Sequence, residues 1–169
     1  YDILYVKLIE PVYRPQNNPL LDMLIYRCRS TIYTNQIDHD DMRGLIRHLK
    51  NGRAIWYSPD QDFGLKQGVM APFFGVPAAT VTAHRRLLKM TKAEAIPLYF
   101  YRDGDISNPK YKVLIEPPVE NLPSDDELDD ATRTNLIIER QLRIAPTQYM
   151  WFHRRFKTRP NGSESLYES

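Results

Sequence analysis

Residues 56–77, WYSPDQDFGLKQGVMAPFFGVP, place two acids, a glycine and a lysine directly after an apolar run and then turn apolar again. The run from Ala54 to Tyr57 reads as the core of a buried strand over 53–57, and Ser58-Pro59 closes it, so Asp60, Asp62 and Gly64 fall on the loop at that strand's carboxyl end. In α/β sheets ligands collect at that end. The same residues also suit a plain turn, because Asp and Gly accept tight backbone geometry. Both readings fit the stretch.

Toward the amino end, residues 11–19 (PVYRPQNNP) are rich in turn formers, and Pro19 stands where a helix over 19–29 can begin, capped by Asn18. Ile3 to Val6 opens the chain as a strand. Asp38 with Asp41 forms an approximate capping box, after which Met42, Leu45, Ile46 and Leu49 recur at helical spacing until Asn51-Gly52. Toward the carboxyl end, residues 78–92 present Ala83, Leu87 and Met90 on one helical face, surrounded by Arg85, Arg86, Lys89 and Lys92. Residues 93–101 and 111–116 read as an antiparallel hairpin, Pro97 notwithstanding. Residues 128–143 read as a helix with acids gathered at its start, which complements the helix dipole. Beyond Arg159 the stretch PNGSESLYES lacks the apolar content to pack and is expected to be a mobile tail. Strand and helix alternate, and no internal repeat interrupts them.

The totals narrow the function classes. A chain of 169 residues is of single-domain size and long enough to bury about 70% of the surface its unfolded form exposes. Its formal net charge of +2 is too small to imply a nucleic-acid binder, although local clusters matter more than the sum. The lone Cys28 excludes an internal disulfide and a cysteine-based zinc framework, which suits a reducing compartment. No run reaches the ~20 apolar residues of a membrane-spanning helix, and no secretory signal is present. The chain begins at Tyr1 directly in a strand-like segment, from which a preceding amino-terminal part is expected.

The candidate chemistry is sparse. Asp60 and Asp62 superficially resemble a calcium loop, but the positions needing glycine and glutamate hold Leu65 and Ala71, so calcium is rejected. A two-carboxylate, metal-dependent hydrolase lacks a further nearby ligand, and no metal is expected. Of His39, His48, His84 and His153, none is followed five residues later by an acid, the His-x4-Asp/Glu spacing of a base with an orienting carboxylate. No nucleophile elbow, Walker loop or dinucleotide fingerprint occurs. The block YMWFHRRFKTR, residues 149–159, interleaves aromatics with Arg154, Arg155, Lys157 and Arg159, the composition of a surface that grips phosphate. Equally, its aromatics can anchor a last helix to the core while the charges solvate it. Arg14 sits at a strand end, and Asp22 with Arg29 lies on one face of the first helix, where Asp22 either orients an arginine or forms an ordinary surface ion pair.

Four stretches together carry a resemblance: VYRPQNNPLLD (12–22), WYSPDQDFG (56–64), APFFGVPAATVTAHRRLLKM (71–90) and PTQYMWFHRRFKTRP (146–160). In this order the chain resembles the late lipid A biosynthesis acyltransferases over residues 10–160. The resemblance implies an α/β fold, a mixed sheet flanked by helices, like that of the glycerol-phosphate acyltransferases, with residues 1–159 forming part of such a domain and 160–169 its tail. It implies transfer of a fatty acyl group from an acyl carrier protein thioester to a hydroxyl of a Kdo-linked lipid A precursor. The work would be done at the cytoplasmic face of a Gram-negative inner membrane, without a cofactor and without nucleic acid. In the family a His-x4-Asp/Glu motif supplies the base and positioned donors stabilise the oxyanion; that motif and the amino-terminal anchor are absent from these residues, so the chain alone is expected to be inactive. Arg14 matches the family's YRP arginine, expected to face the reaction centre as a supporting electrostatic group. Asn18, Asp22 and Arg29 match the rest of that block. Asp60, Asp62 and Gly64 match an acidic-glycine substrate motif, and Arg154, Arg155, Lys157 and Arg159 match a closing motif suited to anionic saccharide or lipid phosphate. The basic helix from Arg85 to Lys92 is a candidate surface for the acidic carrier protein, and His84 has no assigned role. The rival expectation is a non-enzymatic domain that binds anionic lipid or nucleic acid through the basic aromatic block.

Overall fold

A computed structural model describes residues 9–161 and 163–167. The strand expected at Ile3 to Val6 lies outside the described residues. The chain divides into two compact units, residues 1–58 with 90–93 and residues 59–89 with 94–169, where size alone suggested one domain.

In the first unit, strand β1 (Ile9–Tyr13) is the centre of a three-stranded parallel sheet. Helix α1 (Pro19–Ser30) connects it toward β2 (Ile37–Asp38), and helix α2 (Met42–Lys50) leads on to β3 (Ala54–Trp56). Val12 pairs with Ile37 and Ile9 with Ala54, giving the order β2-β1-β3. The helix starts follow from local chemistry. Asn18 Oδ1 accepts from the backbone N–H groups of Leu20 (3.0 Å) and Leu21 (3.2 Å), and Pro19 occupies the first helical position, where its missing N–H costs nothing. Asp41 caps α2 by accepting from Gly44 N at 2.8 Å. Asp38 instead accepts from Asp40 N at 2.9 Å, so the cap rests on Asp41 alone and the expected box does not form. Tyr13, Ile37 and Leu45 are among the buried apolar side chains of the described residues here.

The second unit is built on a hairpin of β4 (Gly68–Phe73) and β5 (Val76–Val81), against which the long helix α4 (Glu127–Leu142) packs. Before α4 come a helix α3 (Ala83–Thr91), whose last two residues belong to the first unit, and a second hairpin of β6 (Leu98–Asp103) with β7 (Lys110–Ile115). Phe73, Ala78 and Leu142 form the buried heart of the unit, with Ile138, Tyr149 and Phe156 packed around them. Asp126 caps α4 through Leu128 N (2.8 Å) and Asp129 N (3.2 Å).

Several expectations need correction. Residues 78–81 are strand, not helix: all four are buried and pair with β4, from Ala78 opposite Ala71 to Val81 opposite Gly68. Packing on both faces of the hairpin overrides alanine's helical preference, and the helix starts only at Ala83. The turn that makes this possible, Phe74-Gly75, has both residues at positive φ, 49° and 76°, the geometry of a two-residue hairpin connection. β6 begins immediately after Pro97 rather than at residue 93, because proline cannot donate to the ladder. No α-helix forms over 149–159; short 3-10 turns at Pro146–Gln148 and Trp151–His153 take its place. The mixture of sheets and helices agrees with an α/β class, but the described strands form three separate sheets in place of one mixed sheet.

Candidate functional site

In the first unit the predicted residues gather at the carboxyl end of β1. The Asp22 carboxylate accepts a hydrogen bond from Gln16 N at 2.7 Å and another from the Tyr13 hydroxyl. The Tyr13 bond, helped by Gln16, holds the Asp22 carboxyl below its ordinary range against the opposing effect of burial. The same hydrogen bond, more than burial, raises the pKa of Tyr13. Arg29 lies over the Tyr13 ring at 5.6 Å from its centroid, and the Tyr26 ring meets that ring edge-on at 6.0 Å. Asp22 therefore orders Tyr13 and the turn after it, where an arginine was expected to be its partner. That turn leaves Arg14 exposed immediately beyond the strand.

A second polar group in this unit escaped the sequence reading. Glu10, with no exposed surface, stands inside the IEPVY strand. His48 Nδ1 lies 2.5 Å from Glu10 Oε2, Asn35 Nδ2 donates to Oε1 at 2.8 Å, and Arg53 Nε is 3.8 Å from Oε1. A carboxylate in a strand that the sheet covers needs such partners. The only advance signal was the acid within an otherwise apolar run. Asp38, His39 and Asp40 bring possible metal-ligand atoms within 4.8 Å of one another, all on exposed side chains. His39 is already hydrogen-bonded to Asp38 at 3.1 Å, an arrangement that surface carboxylates adopt without any ion.

In the second unit the acidic loop and the closing motif meet across 96 positions of sequence. Asp62 is buried and accepts from Thr158 N (2.8 Å), Thr158 Oγ1 (2.8 Å) and Gly64 N (2.9 Å). Gly64 has φ 75°, a conformation that favours glycine and lets its N–H turn back onto Asp62. Tyr149 donates its hydroxyl proton to the Asp60 carbonyl at 3.3 Å, and burial, reinforced by the Asp60 charge, pushes the phenol far upward. Asp62 is thus a staple between segments, while the half-buried Asp60 contributes its backbone to the same seam.

The four cations of the closing motif have different fates. Arg155 is 1% exposed: Nη1 donates to Ala79 O at 2.6 Å, and Nη2 donates to Thr80 Oγ1 at 3.0 Å and Asn135 Oδ1 at 3.2 Å. Its guanidinium sits 5.0 Å from the centre of the Phe73 ring, and burial draws its pKa down. The donors expected to meet phosphate are engaged inside the unit. Arg159, half-buried, donates to Pro77 O at 3.2 Å. Arg154 and Lys157 remain exposed, Arg154 in the left-handed region at φ 52° with its guanidinium 5.7 Å from the Tyr167 ring. Tyr167, in the stretch expected to be mobile, also accepts from Phe156 N at 3.0 Å.

The basic helix is divided in the same way. Arg85 turns inward, with Nε 2.7 Å from Asp130 Oδ2 and Nη2 donating to the carbonyls of Ser124 and Asp125 at 3.0 Å each. Lys89 lies 3.6 Å from Asp125 and Arg86 is exposed on the same helix, while Lys92, expected within it, is exposed just past its end at φ 59°. His84 is half-buried with Nε2 3.2 Å from Thr134 Oγ1, and burial lowers its pKa despite the nearby Asp130 charge.

This arrangement can hold an anion at Arg14, at Arg154 and at Lys157, but it assembles no nucleophile with an oriented base among its predicted residues. Comparison with known proteins identifies the setting. The profile of the bacterial lipid A biosynthesis acyltransferases matches residues 7–158. A lipid A biosynthesis lauroyltransferase of Escherichia coli K12 is 40% identical over 157 residues, covering 92% of this chain and 51% of the relative. A lipid A biosynthesis acyltransferase of Haemophilus influenzae is 42% identical over 160 residues, 93% of this chain and 51% of the relative. The similarity extends more weakly to the lipid A biosynthesis myristoyltransferase of Escherichia coli K12, 28% identical over 158 residues, 93% of this chain and 48% of that protein. The chain belongs to the bacterial lipid A biosynthesis acyltransferase family. It spans about half the length of the curated relatives it matches.

Proposed function

We propose that this chain is part of an enzyme that moves a fatty acyl group from an acyl carrier protein thioester to a hydroxyl of a Kdo-linked lipid A precursor at the cytoplasmic face of the inner membrane. In that reaction the hydroxyl oxygen bonds to the thioester carbon, the C–S bond breaks, and the hydroxyl proton passes to a base. The observation that carries the reading is the family match over residues 7–158, joined to the ordered turn that presents Arg14 at the carboxyl end of β1. An arginine at such an edge suits a developing oxyanion or a substrate phosphate. Exposed Arg154 and Lys157 suit lipid phosphates, and exposed Arg86 suits the acidic carrier protein.

The chain has no histidine followed five residues later by an acid, so on this reading it holds substrates and does not itself deprotonate the acceptor. The isolated chain, mixed with carrier-protein thioester and lipid A precursor, is expected to give no acylated product. Product formation by these residues alone would overturn the division of labour.

The rival reading, a binding domain without chemistry, draws on the exposed Trp151 and Phe152 beside Arg154. Burial of Arg155 removes the charge at the centre of that block, which weakens a nucleic-acid role in particular. Steep salt dependence of oligonucleotide binding would favour the rival.

A further inference from the structure

Helix α1 leaves much of its apolar surface facing outward. At 100° per residue, Asp22, Tyr26 and Arg29 share one face, and these are the residues that engage Tyr13. Leu20, Leu24 and Arg27 share the opposite face, flanked by Leu21 and Met23. No residue of α1 is buried, and Leu20 and Leu24 are 63% and 50% exposed. Asp22 and Ile25 are its half-buried residues, while Leu20, Leu21, Met23 and Leu24 are exposed. Four exposed apolar side chains within five residues, Leu20, Leu21, Met23 and Leu24, call for a covering layer.

We propose that this outward face of α1 lies in the headgroup boundary of an anionic lipid layer. The inference rests on the lipid-substrate reading above and assigns the surface that meets the membrane. Charge selects lipid over another protein as the occupant. Arg27 sits among the leucines and is exposed, and Arg14 is exposed just before the helix. The helix's only acid, Asp22, is turned inward and hydrogen-bonded. A protein interface would have to desolvate Arg27 within its apolar centre, whereas at a lipid boundary its guanidinium reaches the phosphates while the leucines enter the acyl region. Among the described residues no helix is long and apolar enough to cross a membrane, so α1 would lie in the plane.

The test uses the full chain with vesicles of phosphatidylcholine alone or mixed with phosphatidylglycerol, scored by flotation. Binding to the mixed vesicles is expected, falling about tenfold in the double variant Leu20→Glu/Leu24→Glu and about fivefold in Arg27→Gln. Circular dichroism of the double variant should match the parent, since neither leucine is buried. In Leu24→Trp, tryptophan emission should shift to the blue on adding mixed vesicles. Unaltered flotation of the double variant, equal flotation on phosphatidylcholine alone, or no flotation of the parent would each overturn the inference. So would a concentration-dependent dimer abolished by the double variant, which would give the face to a second copy. Flotation is measured without acyl donor, so acyl transfer by a full-length protein carrying the double variant, at unchanged rate on vesicle-borne substrate, sinks this inference alone. Loss of transfer chemistry with flotation intact sinks only the functional reading.

Discussion

Arg155 shows how a single side chain can look like a ligand contact in sequence and be a structural hub in space. Its guanidinium satisfies Ala79 O, Thr80 Oγ1 and Asn135 Oδ1, which lie on β5 and α4. Arg155→Ala would leave these acceptors buried without their donor, and a loss of about 3 kcal/mol in urea-unfolding stability is expected. Arg155→Lys should recover little of it, because an ammonium lacks the planar fork that reaches all three acceptors. The sequence displayed Arg154 and Arg155 as equivalent neighbours; the left-handed backbone at Arg154 that separates their directions has no compositional marker.

Two neighbouring groups contribute to the acid behaviour of the second unit. Burial lowers the pKa of His84, with the Asp130 charge opposing, so the unfolded chain takes up the imidazole proton first. Stability should therefore decline as pH falls below the unfolded value of about 6.5. For Asp130 burial is the largest influence and pushes the pKa up, but hydrogen bonds from Ser124 together with Arg85 bring it down overall. Its contribution is present above the unfolded value near ~3.9 and is lost as pH falls through the lower folded value. In urea titrations His84→Gln should flatten the stability slope between about pH 7 and about pH 5, while Asp130→Asn should lessen the later, more acidic decline, to which Asp103 also contributes. An unchanged slope in His84→Gln would show that another group carries it.

At the scale of elements, the β4-β5 hairpin is governed by two glycines with opposite reasons for being there. An ideal Cβ on Gly68 would lie 1.9 Å from Thr80 O, inside the facing strand. At Gly75 a Cβ meets nothing within 4 Å, and only φ of 76° is at issue. Gly75→Ala should cost about 1 kcal/mol, whereas Gly68→Ala must part the ladder and should cost about 3 kcal/mol or more. Thermal melts of the two variants compare them directly; equal losses would refute the close approach at Gly68.

The starts of α1 and α4 were readable because a cap is local: Asn18-Pro19 and the acids around Leu128 each act within a few residues, whereas the start of α3 was placed five residues too early. The hairpin was hidden because Phe74 occupies a positive-φ position usually held by Asn or Gly. What keeps it there is remote in sequence. Glu139 Oε1 accepts from Phe74 N at 2.7 Å, and Arg143 stacks 5.2 Å from the Phe74 ring centre.

At the scale of the whole molecule, the family could be read from the order of four motifs, while the roles within them could not. Arg14 remains the exposed group expected at the strand end, but Asp62 proved to be a staple and Glu10 an unforeseen buried acid. Such roles depend on contacts between segments, about which spacing is silent. In a full-length protein, Arg14→Ala should lower kcat by about 100-fold if it stabilises developing charge, with the melting temperature unchanged. An unaltered kcat would remove Arg14 from the chemistry.

The Asp62–Thr158 staple and the Arg155 hub also bear on biosynthesis. Residues 62 and 79 leave the ribosome long before 155 and 158, so the acidic loop must wait 96 further residues, and the first hairpin 76, before their last hydrogen-bond partners exist. During that interval the nascent hairpin carries unfilled acceptors at Ala79 and Thr80 and an uncovered Phe73. Translation ending before residue 155 should therefore yield a polypeptide that chaperones retain and proteases remove, whereas elongation through Thr158 releases it to fold.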